Sequence, residues 1–289
     1  MERKKNMEEV TSMLKEEFRR AFLSWAFVLA LVITSICFAI GLRDYGPPVS
    51  PFIRPEEQYL YPFTQNAFDA FLWAMGLSGS FVIFAPLIAV LPFAASFITD
   101  RSSGYITFIL SRTSFRRYRT SKYVANLLAG GVSTSLPLLV GYGIINIFYK
   151  RGFPPVPVTP SEGWVNVRLP WVNANGTFGY LYRTKPDLYI FFLIGLAFLW
   201  GAAWATAGLA TSSVVHNKYR ALVAPFLLYV VVDFVLQNIG KPEWSPLFNF
   251  VPVLYKTTSP LTTFTELGAL FVLSTIGVFV LAKKKHVYE

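Results

Sequence analysis

Long apolar runs constrain this chain more than any other feature. A helix of roughly 20 apolar residues crosses about 30 Å of hydrocarbon, where only helices and closed barrels satisfy their own backbone polar groups. Six segments qualify, at 21–42, 68–98, 123–148, 188–211, 221–239 and 267–282. The second is longer than a bilayer requires and is interrupted by Pro86 and Pro92. Composition agrees: 54% of the 289 residues are hydrophobic, 17% aromatic and only 15% charged, and the mean hydropathy is +0.46. Soluble domains carry nearer a quarter charged residues. The expected fold class is therefore an all-α membrane protein with six transmembrane helices, residues 21–289 forming one membrane domain.

The net charge of +10 does not point to nucleic acid, which would need basic residues lining one solvated surface. Here Lys and Arg sit in short clusters between apolar runs. With the N-terminus inside, 17 of the 26 fall on the cytoplasmic side: six before residue 21, six from Arg101 to Lys122, Lys218 with Arg220, and Lys283 to Lys285. The other nine are spread over longer external loops. Basic residues concentrate on the cytoplasmic side of membrane proteins, so a multi-pass cell-membrane protein with both termini cytoplasmic is expected.

Residues 1–20 form a separate charged segment. Within 5–20, Val10, Met13, Leu14 and Phe18 recur at helical spacing among Lys15, Glu16, Arg19 and Arg20. Such a helix can lie in the membrane interface, although a plain cytosolic tail that flags orientation fits equally. About twenty charged, helix-forming residues ahead of the first apolar run also argue against a cleavable signal peptide.

Two external stretches have character of their own. Residues 150–187 hold Pro154, Pro155, Pro157 and Pro160, whose density forbids a regular helix early in the loop. Trp164, Trp171, Tyr180 and Tyr182 come next, as a ligand surface or, more simply, as interfacial anchors. Asn175 begins the single glycosylation sequon. Residues 241–260 are too apolar for a free loop and are expected to dip partly into the membrane.

Catalysis needs a nucleophile, base or metal set, and none is legible. No P-loop, H-E-x-x-H or G-x-S-x-G motif occurs. Cys37 stands alone inside an apolar run, and His216 and His286 are far apart, so neither a disulfide nor a zinc site is expected. Asp233 is an acid deep within a span, either a proton-relay or substrate contact or a hydrogen-bonded helix contact, and the latter is favoured because no second acid or histidine is near in sequence. Glu266 is placed at a helix start, where the macrodipole stabilises it. Gly201, Ala202, Ala205 and Gly208 in the fourth span, with Gly130, Gly131, Gly141 and Gly143 in the third, allow close helix approach.

The stretch from Asp100 to Lys122 is the most informative. Gly104 can take the left-handed conformation that ends a helix. Tyr105 to Leu110 is then a short apolar segment on the cytoplasmic side with nothing obvious in the chain to cover it. Ser111 to Ser114 supplies a turn and a helix cap, and Arg116, Arg117, Arg119 and Lys122 lead into the third span, Arg119 taken as surface. An apolar turn ringed by arginines suits a docking surface, although a plain positive-inside loop would also be basic.

At these residues the sequence resembles the permease subunits of the type-2 ABC exporter family, whose first cytoplasmic loop reads acid-Arg-acid-x-Gly, apolar residues, Leu-Ser, a variable residue, Pro and Ser-Arg-Arg. Asp100, Arg101, Gly104, Leu110, Ser111, Arg116, Arg117 and Lys122 match. Ser102 stands where a second acid is common, Thr113 where proline is common, and the loop 150–187 is longer than usual. The resemblance implies a dimer of permease copies or paralogues bound to separate ATPase subunits. The partner would bind ATP and magnesium, and Tyr105 to Leu110, with Tyr105 and Phe108 as aromatic anchors, would be the coupling helix. Substrate contacts would come from the first, second and fifth spans. This chain would carry no catalytic residue, metal or cofactor. An ATP-independent transporter or channel, a membrane-embedded enzyme and a receptor-like or immunity protein on the same fold are the alternatives.

Overall fold

The computed structural model describes residues 2–45, 66–77, 80–149, 151, 155–159, 163–166, 176–252 and 258–282. In chain order the helices are α1 (Glu2–Phe22), α2 (Trp25–Tyr45), α3 (Ala67–Leu72), α4 (Ser80–Val90), α5 (Ser96–Ser102), α6 (Tyr105–Leu110) and α7 (Phe115–Phe148). A two-stranded antiparallel hairpin is next, β1 (Pro155–Thr159) with β2 (Gly163–Asn166). Then come α8 (Gly179–Thr184), α9 (Pro186–Val214), α10 (Lys218–Asn238), α11 (Pro246–Phe250) and α12 (Pro260–Leu281).

The chain is predominantly helical, and α2, α7, α9, α10 and α12 are each long and apolar enough to cross a membrane. The second apolar segment departs from a single expected span. α3 runs into a π-helical turn, Trp73–Leu77, and then into α4, the two halves being bent by 62°. The sequence expectation placed the interruption at Pro86 and Pro92. Pro92 does fall in a break, between α4 and α5, whereas Pro86 stays inside α4 and the 62° bend separates Ala67–Gly76 from Ser80–Val90. Counted as one span, this pair makes six.

Helix α9 is the hub, with every residue from 200 to 210 buried among α4, α7, α10 and α12. A Cβ on Gly130 would stand 2.3 Å from that of Ala205, and one on Gly201 would stand 2.2 Å from Thr134 Oγ1. Only glycine lets α7 and α9 come this close, after which Thr134 Oγ1 donates to Ala197 O at 3.0 Å across the seam. Gly143 faces open space and plays no such part. Outward faces are apolar instead: Leu227, Leu228, Val231 and Phe234 on α10, and Val272, Leu273 and Ile276 on α12, are all exposed. Water would penalise such faces, and lipid would not.

Three helices carry an internal proline, which cannot donate to the carbonyl four residues earlier. In each case a hydroxyl from another helix reaches that carbonyl. Pro86 frees Val82 O, which accepts from Tyr229 Oη at 3.0 Å. Pro137 frees Ser133 O, 3.0 Å from Thr34 Oγ1, and Pro225 frees Ala221 O, 3.2 Å from Thr211 Oγ1. The two threonines also lie within reach of carbonyls on their own helices, Ala30 O and Gly208 O. Where lipid supplies no donor, the bundle supplies one from a neighbour.

Candidate functional site

The turn between α5 and α7 is built locally. Gly104 has φ +69°, ending α5 and starting α6 in a conformation strained for other residues. Ser114 caps α7, its Oγ accepting from Arg117 N. The expectation that nothing covers Tyr105–Leu110 is corrected in part. Ile106 is buried in a cluster with Phe97, Tyr118, Leu209, Ala210 and Val278, while Tyr105, Ile109 and Leu110 are half-buried. Phe108 points the other way, 51% exposed, with the Arg112 guanidinium 4.2 Å above its ring. Thr107, Ser111 and Arg116 are exposed and Arg117 half-buried. The outward face therefore narrows to Phe108 and its basic surroundings.

Beneath α6 lies a charge cluster not legible in the sequence. Asp100, expected at a partner-facing surface, is instead fully buried. Its carboxylate pairs with Arg20 of α1, with Lys122 Nζ of α7 at 2.7 Å, and accepts from Tyr118 Oη at 2.7 Å. Lys122 also reaches Glu17 of α1 at 3.3 Å, and Glu17 pairs with Arg20 at 3.3 Å. Two acids and two bases leave the cluster neutral, as burial demands. Burial alone would raise the Asp100 carboxyl, but Lys122 and Arg20 outweigh it and hold the group below the ordinary carboxylate range. Burial likewise works against the Arg20 charge, and the Asp100 hydrogen bond and charge more than offset that, raising its proton affinity. Arg20 also stacks over the Tyr105 ring at 4.5 Å, tying the cluster to α6.

Two further arginines close helix ends. Arg101 Nη2 donates to Ser213 O near the end of α9. Arg119, taken as a surface residue, donates to Phe279 O and Ala282 O at 2.8 and 3.1 Å and lies 4.7 Å over Phe279. Carbonyls at a helix C-terminus lack donors and carry partial negative charge, so both placements are favourable.

The opposite end of the bundle holds polar groups of another kind. Asn66 caps α3, and its side chain meets Asp69, which also accepts from Tyr182 Oη. Tyr182 is thus a buried core residue rather than an interfacial anchor. Asp233 accepts from Ser245 Oγ and, at 2.8 Å, from Gln237 Nε2. Glu266 lies two turns inside α12 rather than at its start, and accepts from Asn249 Nδ2 at 2.7 Å. Asn249 Nδ2 also lies 3.2 Å from Ser245 O, so one short segment links Asp233 of α10 to Glu266 of α12, an acid far from it in sequence. The stretch expected to dip into the membrane does pack inward: Phe250 is buried, 5.6 Å from Phe81 and 6.2 Å from Trp200. Asn175 lies outside the described residues, as do Trp171 and most of 150–175.

No family model, curated protein or solved structure matches this chain. Function must be argued from its own residues. Among the described residues no group of three or more His, Cys, Asp or Glu side chains is placed to hold a metal ion.

Proposed function

We propose that this chain is the transmembrane subunit of an ATP-driven exporter, coupled to a separate ATPase subunit through α6. The observation that carries the reading is a short apolar helix seated on the buried Asp100 cluster, presenting an exposed Phe108 beneath Arg112, with Arg116 exposed in the first turn of α7. A partner groove that accepts an aromatic anchor beside cations fits that face. In this reading the bent pair α3–α4 is one span, six spans place both termini in the cytoplasm of the cell membrane, and two permease copies form the path. ATP and magnesium belong to the partner. Closure of the ATPase pair moves α6, and α7 carries the motion inward. Its 34 residues make a rod of about 50 Å, well beyond the thickness of the hydrocarbon. Support comes from the resemblance at Asp100 to Lys122, from α6 itself and from the basic asymmetry of the loops. Purification of the chain from its native membrane tests the reading: a nucleotide-hydrolysing subunit comes with it, and none comes if the reading is wrong.

A second reading, an ATP-independent transporter, rests on the acids Asp233 of α10 and Glu266 of α12, which bond to Ser245 and Asn249 of the one segment between them. It requires transport in vesicles without ATP that responds to a proton or sodium gradient.

A further inference from the structure

The buried cluster does more than fill space beneath α6. Asp100 engages both neighbours at once: Arg20 bonds to both its oxygens, while Lys122 and Tyr118 converge on Oδ2. Glu17 closes the ring from α1 to Lys122. Arg20 in turn lies over Tyr105, so the same guanidinium touches α1's anchor and the coupling turn. Buried ion networks of this kind add little net stability, because desolvation offsets attraction. Removing one partner nevertheless leaves a charge stranded, so the network selects one arrangement of its elements.

Helix α1 is also joined tightly to α2. Only Leu23 and Ser24 separate the two helices, and Ser24 bonds both ways, to Ala21 O at 3.1 Å and from Phe27 N at 3.0 Å. Displacing α1 therefore pulls on α2, whose Thr34 reaches α7. The outer side of α1, at Lys15, Glu16 and Arg19, is exposed.

We propose that Asp100 is a positioning residue that makes α1 and α6 one mechanical unit, so that a partner pressing on α6 also displaces α1 and, through it, α2. The partner half of this statement rests on the function proposed above; the mechanical half does not.

The test uses the full chain in nanodiscs, with Cys37→Ala and spin labels at Lys15→Cys and Thr107→Cys, both exposed sites. The distance distribution between the labels is expected to be single and narrow. Arg20→Gln, which unties α1 but leaves Asp100 with Lys122 and Tyr118, is expected to broaden it about twofold or more; the stranded acid lowers the unfolding temperature, but the chain stays folded under the conditions of the distance measurement. Asp100→Asn, if folded, broadens it as well, and Arg220→Ala, exposed in the first turn of α10, does not. An unchanged width in Arg20→Gln overturns the proposal. So does loss of folded Arg20→Gln, which would make the cluster a fold requirement only. In the complex, nucleotide addition is expected to shift the Lys15 label relative to one at Lys218→Cys, and Arg20→Gln is expected to abolish that shift. If no ATPase binds, the proposed function falls with the partner half, while the width comparison still decides the mechanical half.

Discussion

The hydroxyl of Tyr229 in α10 donates a 3.0 Å hydrogen bond to the carbonyl of Val82 in α4, the carbonyl that Pro86 deprives of its helical donor. Tyr229 is 1% exposed and packs edge-on against Trp204, so neither end of the bond is reached by water. A proline that would weaken α4 alone becomes a fastening between two spans.

Tyr229→Phe should therefore cost about 1 kcal/mol or more, at the strong end for hydrogen bonds between membrane helices. Pro86→Ala restores a backbone donor to Val82, so in that background the Tyr229→Phe cost should largely vanish. A double-mutant cycle read by thermal unfolding in detergent checks this. Equal costs in both backgrounds would show that the hydroxyl does not serve the freed carbonyl.

Asn126 in α7 is 1% exposed, and among the described residues its amide finds no hydrogen-bond partner. An unpaired buried amide is a standing cost, so Asn126→Leu should hold or raise the unfolding temperature. A fall of several degrees would contradict that and assign the amide a bound group.

The level at which each feature is written explains what could be read in advance. Gly104 and Ser114 act on their own backbone, and their left-handed turn and cap were legible as residues. Five long apolar helices were legible because hydrocarbon demands them, and the structure lengthens α7 toward its N-terminus without moving it. The Asp100 cluster was not, since Arg20 and Asp100 lie 80 positions apart and only packing brings them together. The same holds for Glu266, which looked like a helix-start acid until α11 folded back and Asn249 reached it. In the second apolar segment Pro92 did mark a break, between α4 and α5, but Pro86 is compensated by Tyr229 inside α4, and the π turn carries no equally plain sign.

Orientation has a direct check. With Cys37 replaced, a cysteine at Ser161 should react with an impermeant reagent added outside, and one at Ser103 should react only after the membrane is opened. The reverse pattern would invert the topology.

Asp233 is engaged by Ser245 and Gln237, an arrangement that a neutral isostere can largely keep. Asp233→Asn should retain most nucleotide hydrolysis in the reconstituted complex, with little change in yield. Loss of function at normal yield and stability would favour the ATP-independent reading built on Asp233 and Glu266.

The central claim is that Phe108 on α6 anchors an ATPase. Phe108 is 51% exposed and takes no part in the buried cluster around Ile106, so Phe108→Ala should leave the isolated chain's yield and unfolding temperature near wild type. The measurement is the affinity of the purified chain for its co-purifying ATPase, Phe108→Ala against wild type and against Arg220→Ala. Phe108→Ala is expected to lose about 2 kcal/mol or more, roughly thirtyfold in affinity, and Arg220→Ala little. Unchanged affinity for Phe108→Ala, or a permease that unfolds without it, would contradict the account.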